Sequence, residues 1–124
     1  DRSLVENKIC SEKKVALTVL ATVVSTPTKN RAIIDAGSKV LTSDLFGMND
    51  HGSIVNYPEL GITQLTEEHG TIVSEQNTNL VIGQKIEIIP NHACVVTNML
   101  NEVNLITEEK KIKKVKVIAR GKVW

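Results

Sequence analysis

Apolar and polar residues alternate along most of this chain, and this period of two is typical of β-strands. Residues 15–24 form the longest such run, VALTVLATVV, in which both alternating sets are mostly apolar. A strand that is apolar on both faces is predicted to lie in the interior of a sheet. Residues 25–30 contain Pro27 and Asn30 and predict a turn, and residues 31–35 predict a second strand after it.

The rest of the chain shows the same alternation in shorter runs. Residues 42–51 are polar and contain several turn formers, which predicts a long loop. Pro90 has no N–H to donate to a neighbouring strand, so a strand is expected to end there. Further strands are predicted at residues 53–57, 61–65, 71–73 and 84–89, followed by a hairpin of residues 103–106 and 114–118.

This succession of short strands predicts an all-β fold, either a small barrel or a sandwich. Only residues 4–10 and 94–101 fit one or two helical turns. The 124 residues show no repeat and no shift in composition, so we expect a single domain spanning residues 1–124. Because the chain begins with Asp1 rather than methionine, we expect a processed product or a piece of a longer protein.

Composition argues against several classes of protein. The chain has 15 Lys and Arg against 14 Asp and Glu, so its charge gives no reason to expect nucleic acid or an anionic membrane as a partner. Its aromatic residues, Phe46, Tyr57 and Trp124, are too few for a base-stacking surface. No run reaches the roughly 18 apolar residues of a membrane-spanning helix. Two distant cysteines, Cys10 and Cys94, indicate reduced thiols and a cytoplasmic protein.

The clearest chemical signal is a histidine and a cysteine two residues apart, His92 and Cys94, directly after the predicted strand end at Pro90. In extended backbone, residues i and i+2 point to the same side, so one metal ion could contact both side chains. Imidazole and thiolate together favour zinc. Two protein ligands leave positions open for water or substrate, as a Lewis-acid site requires. By spacing alone, however, such a pair is usually a coincidence.

Three other segments carry chemical groups. The sequence from Asp35 to Lys39, DAGSK, has the small residues of a tight turn that could bind an anion, although a plain strand-ending turn is the simpler interpretation. Residues 67–70, EEHG, are typical of an exposed turn before a strand. The lysines of residues 110–116 alternate with apolar residues and therefore fit the solvated face of a strand.

Taken in order, residues 19–25, 31–39, 67–70 and 90–94 resemble segments of the C-terminal domain of the D-serine dehydratase and D-threonine aldolase family. The resemblance extends from about Val15 to the end of the chain and includes the closing residues 119–122, ARGK. It implies a small β-barrel like the C-terminal domain of alanine racemase. It also implies an N-terminal TIM-like barrel that carries pyridoxal phosphate on a lysine, and a homodimeric enzyme acting on D-β-hydroxy amino acids.

By this resemblance, His92 and Cys94 are the metal ligands, binding zinc or manganese at an active site between the two domains. Some aldolases have an aspartate at the position of Cys94, so the thiol favours zinc and the dehydratase-like branch. The pyridoxal phosphate barrel and its lysine are absent from this chain, which is therefore expected to be inactive alone. Further candidates to face the active site are Asp35, Ser38, Glu68 and His69.

Two alternatives remain beside this interpretation. The chain could be a non-catalytic β-domain used for dimerisation or assembly, or the C-terminal domain of an alanine racemase-type enzyme. A coding sequence for a barrel of roughly 200–250 residues directly upstream would favour the lyase over the assembly domain. Metal analysis would separate the lyase from the racemase. Dehydration and aldol cleavage both need the same ion at the substrate hydroxyl, so this domain is compatible with either reaction.

Overall fold

The alternating segments of the sequence produce eight β-strands in the computed structural model, which describes residues 1–122. Six strands, β1 to β6, are antiparallel to their neighbours and close into a barrel in the order β1-β2-β5-β4-β3-β6, while β7 and β8 form a separate hairpin. This confirms the predicted all-β fold. The strands are β1 (Val19–Thr28), β2 (Arg31–Ile34), β3 (Ser53–Ile54), β4 (Gly61–Leu65), β5 (Gly70–Val73), β6 (Lys85–Ile89), β7 (Glu102–Ile106) and β8 (Ile112–Lys116).

The helices are short, as the sequence indicates. They are α1 (Arg2–Glu6), α2 (Ser38–Leu41) and α3 (Ala93–Met99), with a 3-10 turn at Glu12–Lys14. Two of them lie within or near the predicted helical turns, whereas α2 lies in a segment predicted to be a turn. None of the helices described over residues 1–122 is long and apolar enough to cross a lipid bilayer. Trp124 lies outside the described residues.

Strand β1 is hydrogen-bonded on both sides, to β2 and to β6, as expected of an interior strand. Although both faces of β1 are mostly apolar, only one of them is buried. Val19, Ala21 and Val23 point into the barrel, but Leu20 on the other face is 67% exposed. A closed barrel has one inside, and only one face of each strand lines it. The strand also runs through most of the predicted turn, because residues 25–28 continue to pair toward β2.

Aliphatic side chains fill the barrel. Ile34, Ile62, Ile72 and Ile88 are each fully buried, and together with Val23 they come from five of the six barrel strands. Interiors of barrels of this size are packed with side chains and leave no channel. The branched residues whose alternation predicted strands are therefore the ones that form the core.

The predicted strand at residues 53–57 is shorter than expected and ends at Ile54. Asn56 has a left-handed backbone (φ 68°) and Tyr57 N–H donates to the carbonyl of Ile54 at 3.0 Å, so the chain turns here. The closing hairpin is confirmed, with Val103 opposite Val115 in the middle of its register.

The antiparallel pairing brings several connections toward one end of the barrel. The last residues of β2, β4 and β6 lie at the same end as the first residues of β1, β3 and β5. We call this the site end. It is formed by residues 35–52, 66–69 and 90–94, and it therefore contains the candidate site residues Asp35, Ser38, Glu68, His69, His92 and Cys94.

Candidate metal centre

The backbone at the histidine and cysteine differs from the sequence prediction. His92 is extended (φ −136°, ψ 104°), but α3 begins at the next residue, so Cys94 lies in the first turn of a helix. The assumption of an extended segment across both residues was therefore wrong. Both residues reach the surface, since the His92 side chain is 24% exposed and Cys94 is an exposed free thiol. Neither is sealed in the apolar core, so joint metal binding stays a prediction.

The start of α3 is held by the beginning of the chain. His92 occupies the cap position without a side-chain cap bond, and the carboxylate of Asp1 accepts a hydrogen bond from the backbone N–H of Ala93 instead. Arg2 N–H donates to the carbonyl of Pro90 at 3.0 Å, and its guanidinium pairs with Asp50. A carboxylate at the first N–H groups of a helix is favourable because these groups have no partner within the helix.

A carboxylate 48 residues earlier in the chain contacts the His92 ring. Asp44 Oδ2 lies 3.3 Å from His92 Nδ1. An ionised carboxylate only accepts hydrogen bonds, so a hydrogen bond across this contact requires the proton on Nδ1. A neutral ring with its proton on Nδ1 has a free lone pair on Nε2. The other oxygen of Asp44 accepts the backbone N–H of Phe46 at 3.0 Å. The Phe46 ring stacks on the imidazole, with centroids 4.4 Å apart and planes inclined by 28°.

Asn91 ties this loop to the end of β6. It is only 3% exposed, and its Nδ2 donates to the carbonyls of Leu45 at 3.1 Å and Asp50 at 2.7 Å. Its Oδ1 and the Nδ1 of His51 are buried without a hydrogen-bond partner among the described residues. Buried polar atoms of this kind commonly bind ordered water. The loop is thus fastened at Leu45, between Asp44 and Phe46, and at Asp50. The sequence singled out neither Asp44 nor Phe46 as a site residue.

The donor atoms fit a metal ion in kind but not in number. Among residues 1–122, no group of three or more His, Cys, Asp or Glu side chains is placed to hold a metal ion. A structural zinc site normally has four ligands. An oriented imidazole and an exposed thiol are suitable ligands for zinc, so this chain fits a metal that obtains its remaining ligands from elsewhere.

The β4–β5 turn contains two of the further candidates, Glu68 and His69, and both are exposed. Lys39 of α2 forms an ion pair with Glu68, and its Nζ also lies 3.6 Å from Oε2 of Glu67. The hydrogen bond and charge of Lys39 lower the pKa of the Glu68 carboxyl, and Glu68 in turn raises the pKa of Lys39. This turn is exposed, as the sequence predicted. Its ion pairs with Lys39 also connect it to α2.

Asp35 and Ser38 lie where β2 leads into α2. Burial acts to raise the pKa of Asp35, but hydrogen bonds from the backbone and side chain of Thr22, together with the charge of Lys85, lower it overall. Ser38 N–H donates to Thr66 at 2.8 Å and Lys39 N–H to Glu67 at 3.1 Å. These two amides already have carbonyl partners, which favours the plain strand-ending turn over an anion-binding one.

All four of these candidates lie at the site end. Within residues 1–122 no hydrogen bond or ion pair joins Asp35, Ser38, Glu68 or His69 to the histidine and cysteine. The two groups of residues are linked by the packing of α2, which contains Ser38, against α3, which contains Cys94. Their orientation toward a shared active site stays a prediction.

Known proteins share both this fold and this sequence pattern. Residues 16–106 match the family described as "Putative serine dehydratase domain". The chain belongs to this family. The match begins just before β1 and ends with β7, so the serine dehydratase domain comprises the whole β-barrel together with His92 and Cys94. The family resemblance that the sequence motifs suggest is thereby confirmed.

Relatives of this serine dehydratase domain differ in length. An uncharacterised protein of Mycobacterium tuberculosis is 35% identical over 119 residues, which is 91% of this chain and 90% of that protein. A D-serine dehydratase of Dictyostelium discoideum is 32% identical over 117 residues, which is 83% of this chain but 30% of that enzyme. The domain therefore corresponds to nearly all of the first relative and to less than a third of the second.

Solved structures have the same fold. A D-threonine aldolase from Filomicrobium marinum superimposes with a TM-score of 0.73 and 27% identity, covering 86% of this chain and 29% of the aldolase. A D-threo-3-hydroxyaspartate dehydratase variant with a histidine replaced by alanine gives a TM-score of 0.85 at 22% identity, covering 94% of this chain and 34% of that chain. An alanine racemase-like protein from Idiomarina loihiensis superimposes with a TM-score of 0.83 at 22% identity, covering 94% of this chain and 35% of that protein. These likenesses confirm the expected barrel architecture.

Proposed function

We propose that this domain supplies two metal ligands, His92 and Cys94, to a pyridoxal phosphate- and metal-dependent lyase acting on D-β-hydroxy amino acids. The observation that supports this most is the placement of the His92 ring. Its Nδ1 faces the Asp44 carboxylate, and its Nε2 makes no hydrogen bond within residues 1–122. A ring nitrogen with a free lone pair, two residues from an exposed thiol, is suited to bind a soft or borderline divalent ion.

The names of related structures support the same assignment. One D-threo-3-hydroxyaspartate dehydratase structure has a histidine replaced by alanine, and another has a cysteine replaced and is described as metal-free. Those two substituted positions are two residues apart, which is the spacing of His92 and Cys94 in this chain. Relatives that are at least 30% identical include a D-serine dehydratase and a D-threonine aldolase.

The metal, when bound, supplies a Lewis acid for the β-hydroxyl of the substrate. The residues of this chain hold and orient it. Asp44 contacts the ring at Nδ1, and Phe46 covers one face of the ring. Cys94, as a thiolate, favours zinc over manganese.

Pyridoxal phosphate supplies the electron sink for the reaction. Its lysine and most of its pocket would belong to an N-terminal TIM-like barrel that packs against the site end, as this chain covers only 30% of the D-serine dehydratase relative. We further propose that the complete enzyme is a homodimer. The free thiols of Cys10 and Cys94 support a cytoplasmic location.

A second candidate function is supported by the relatives of similar size. Because 90% of the Mycobacterium tuberculosis protein is covered, the domain occurs there in a polypeptide close to this length. This favours one of two roles. The domain either assembles with a separately encoded barrel to form the enzyme, or it is a non-catalytic domain used only for dimerisation or assembly. Co-purification of this chain with a pyridoxal phosphate barrel expressed from the same genome would distinguish the two, since a pure assembly domain needs no such barrel.

Metal binding can be tested on this chain with matched variants. Co²⁺ is added in place of zinc, and the thiolate-to-cobalt absorption band is recorded for the unmodified chain, Cys94→Ala and Cys10→Ala. We expect the band to disappear with Cys94→Ala and to persist with Cys10→Ala. Likewise, His92→Ala should weaken Co²⁺ binding while His69→Ala, which alters an exposed histidine of the β4–β5 turn, leaves it unchanged. Equal bands in all variants would remove the metal role from this pair.

Catalysis is tested in the complete enzyme, with the barrel present on the same or a second polypeptide. Turnover of D-serine and D-threonine should require zinc or manganese and should be lost with His92→Ala. Activity that survives thorough chelation would contradict the proposed role of the domain. The isolated chain should show no turnover in either case.

A further inference from the structure

The loop before β3 contacts the histidine through one carboxylate. We propose that Asp44 is a positioning residue, which holds His92 in the tautomer with the proton on Nδ1 and thereby makes Nε2 the metal-binding nitrogen. The role in metal binding rests on the proposed function. The effect of Asp44 on the His92 tautomer does not require a bound metal. Metal-binding histidines generally donate their second N–H to a carboxylate or carbonyl, which fixes the ring and raises its basicity.

The contacts of Asp44 favour positioning over direct ligation. Oδ2 faces His92 Nδ1 at 3.3 Å, and Oδ1 accepts the backbone N–H of Phe46 at 3.0 Å. Both oxygens thus already have a partner in this chain, and within residues 1–122 Asp44 does not form a three-residue metal group with His92 and Cys94. The carboxylate therefore acts on the ring and not on the ion.

The second oxygen links the carboxylate to the stacking residue. By accepting the Phe46 N–H, Asp44 fixes the backbone from which the Phe46 ring reaches the imidazole at a centroid distance of 4.4 Å. Phe46 adopts a left-handed backbone (φ 49°), which is unfavourable for a bulky residue and needs local support. One side chain therefore sets both the edge contact and the face contact of His92.

Asn91 anchors the same loop from the other side. Its Nδ2 binds the carbonyl of Leu45, which lies between Asp44 and Phe46, and the carbonyl of Asp50. Since Asn91 directly precedes His92, the ligand and its supporting loop are joined through two adjacent residues. The distance between Asp44 and His92 is consequently fixed by the backbone as well as by their own contact.

The tautomer can be measured directly by two-bond 1H–15N correlation spectra of the histidine rings in the 15N-labelled chain. Spectra are recorded over a series of pH values, and the tautomer is read where the ring signals no longer change as the pH is raised. The His92 signals are assigned by their loss in His92→Ala. His51 and His69 serve as internal references, because Asp44 makes no hydrogen bond to them within residues 1–122.

Four proteins are compared: the unmodified chain, Asp44→Ala, Asp44→Asn and Glu59→Ala. Glu59 is an exposed carboxylate in the β3–β4 connection, toward the other end of the barrel. Glu59→Ala removes one negative charge, as Asp44→Ala does, but far from His92. We expect His92 to carry its proton on Nδ1 in the unmodified chain and in Glu59→Ala, and to shift toward the Nε2-protonated form in Asp44→Ala. The amide oxygen of Asp44→Asn can still accept the Nδ1 proton and should largely restore the tautomer.

A Zn²⁺ titration of the same four proteins completes the experiment. We expect Asp44→Ala to bind about 10-fold more weakly, at the lower end of the 10–100-fold typical of such supporting residues, because the contact is partly exposed. An unmodified chain without the Nδ1 proton, or an Asp44→Ala variant with unchanged tautomer, overturns the inference. So does an unchanged Zn²⁺ affinity in Asp44→Ala. If the tautomer depends on Asp44 but no protein binds Zn²⁺ through His92, the proposed metal function fails while the role of Asp44 in setting the ring stands.

Discussion

Val23 and Val24 are neighbours in β1, yet Val23 is fully buried inside the barrel and Val24 is 40% exposed on its outer face. Strand geometry sends successive side chains to opposite faces, and only the inner face of this barrel is packed. The two positions therefore form a matched pair for testing the inside and outside of the fold.

We predict that Val23→Ala lowers the free energy of unfolding by about 1.5–3 kcal/mol, the sum of two lost methyl groups and the cavity they leave. Val24→Ala should lower it by no more than about 0.5 kcal/mol. Urea unfolding followed by circular dichroism measures both values. Equal losses would contradict the assignment of the two faces.

Gly37 lies in close contact with the β4–β5 turn. A Cβ atom at this position would lie 2.4 Å from the Glu67 carbonyl oxygen and 2.5 Å from that of Thr66, both of which belong to the backbone. We expect Gly37→Ala to destabilise the protein by about 1–3 kcal/mol, because α2 and the turn must move apart.

The control for this prediction is Gly61→Ala at the start of β4. There the nearest atom to an added Cβ is Asp50 Oδ2 at 3.5 Å, an ordinary contact. Because alanine restricts the unfolded chain more than glycine does, this variant should be neutral or more stable by up to about 1 kcal/mol. Thermal unfolding in which both variants lose equal stability would exclude the steric explanation.

The ion pair between Lys39 and Glu68 gives a pH prediction. The pKa of Glu68 is lowered from 4.5, so its contribution to stability is present above that value and is lost as pH falls through the lowered pKa. The pKa of Lys39 is raised from 10.5, so its contribution is present below that value and is lost as pH rises through the raised pKa.

We expect Lys39→Gln to move the pKa of Glu68 upward toward its ordinary value, because the hydrogen bond and the neighbouring charge are both lost. Lys29→Gln removes an exposed lysine of the β1–β2 turn and should leave Glu68 unchanged. Carbon-detected NMR titration of the side-chain carboxyl provides the measurement. A Glu68 pKa that is insensitive to Lys39→Gln would show that the ion pair does not persist in solution.

Asn91 gives a prediction on the stability of the loop before β3. Replacing it with alanine removes hydrogen bonds to two carbonyls in a buried environment, and each such bond contributes about 0.5–1.5 kcal/mol. We therefore expect Asn91→Ala to destabilise the protein by about 1–3 kcal/mol and to accelerate amide hydrogen exchange in residues 44–51.

Asn98 is the matched control, since it is exposed and accepts a single hydrogen bond from Gly121 N–H at 2.9 Å. Asn98→Ala should cost no more than about 0.5 kcal/mol and leave exchange in residues 44–51 unchanged. Identical exchange rates in the Asn91→Ala protein and the unmodified chain would mean that Asn91 does not anchor the loop.

Sequence patterns predicted those parts of the fold that depend on local alternation. The inward positions of β1, from Val19 to Val23, and the strand end at Pro90 follow directly from residue type. The exposure of Leu20 could not be inferred, because alternation alone does not reveal whether a sheet closes into a barrel. Helix α2 was missed because the backbone N–H groups of its first residues donate to the carbonyls of Thr66 and Glu67. These carbonyls belong to the β4–β5 turn, which is distant in the sequence.

The same distinction applies to the candidate site. The spacing of His92 and Cys94 indicated the chemical groups, but the helix that begins between them depends in part on the carboxylate of Asp1. Asp44 lies 48 residues before His92, and no periodic pattern connects the two. Contacts of this kind are set by the tertiary fold and become visible only in the structure.

The hydrogen bond from Ala93 to Asp1 has a practical consequence for anyone who purifies this protein. A polyhistidine tag fused ahead of Asp1 would emerge beside His92 and Cys94, where its imidazoles could capture added zinc or cobalt and imitate a genuine site. Affinity handles at that terminus should therefore be removed, or chosen without nitrogen or sulfur ligands, before any titration is interpreted.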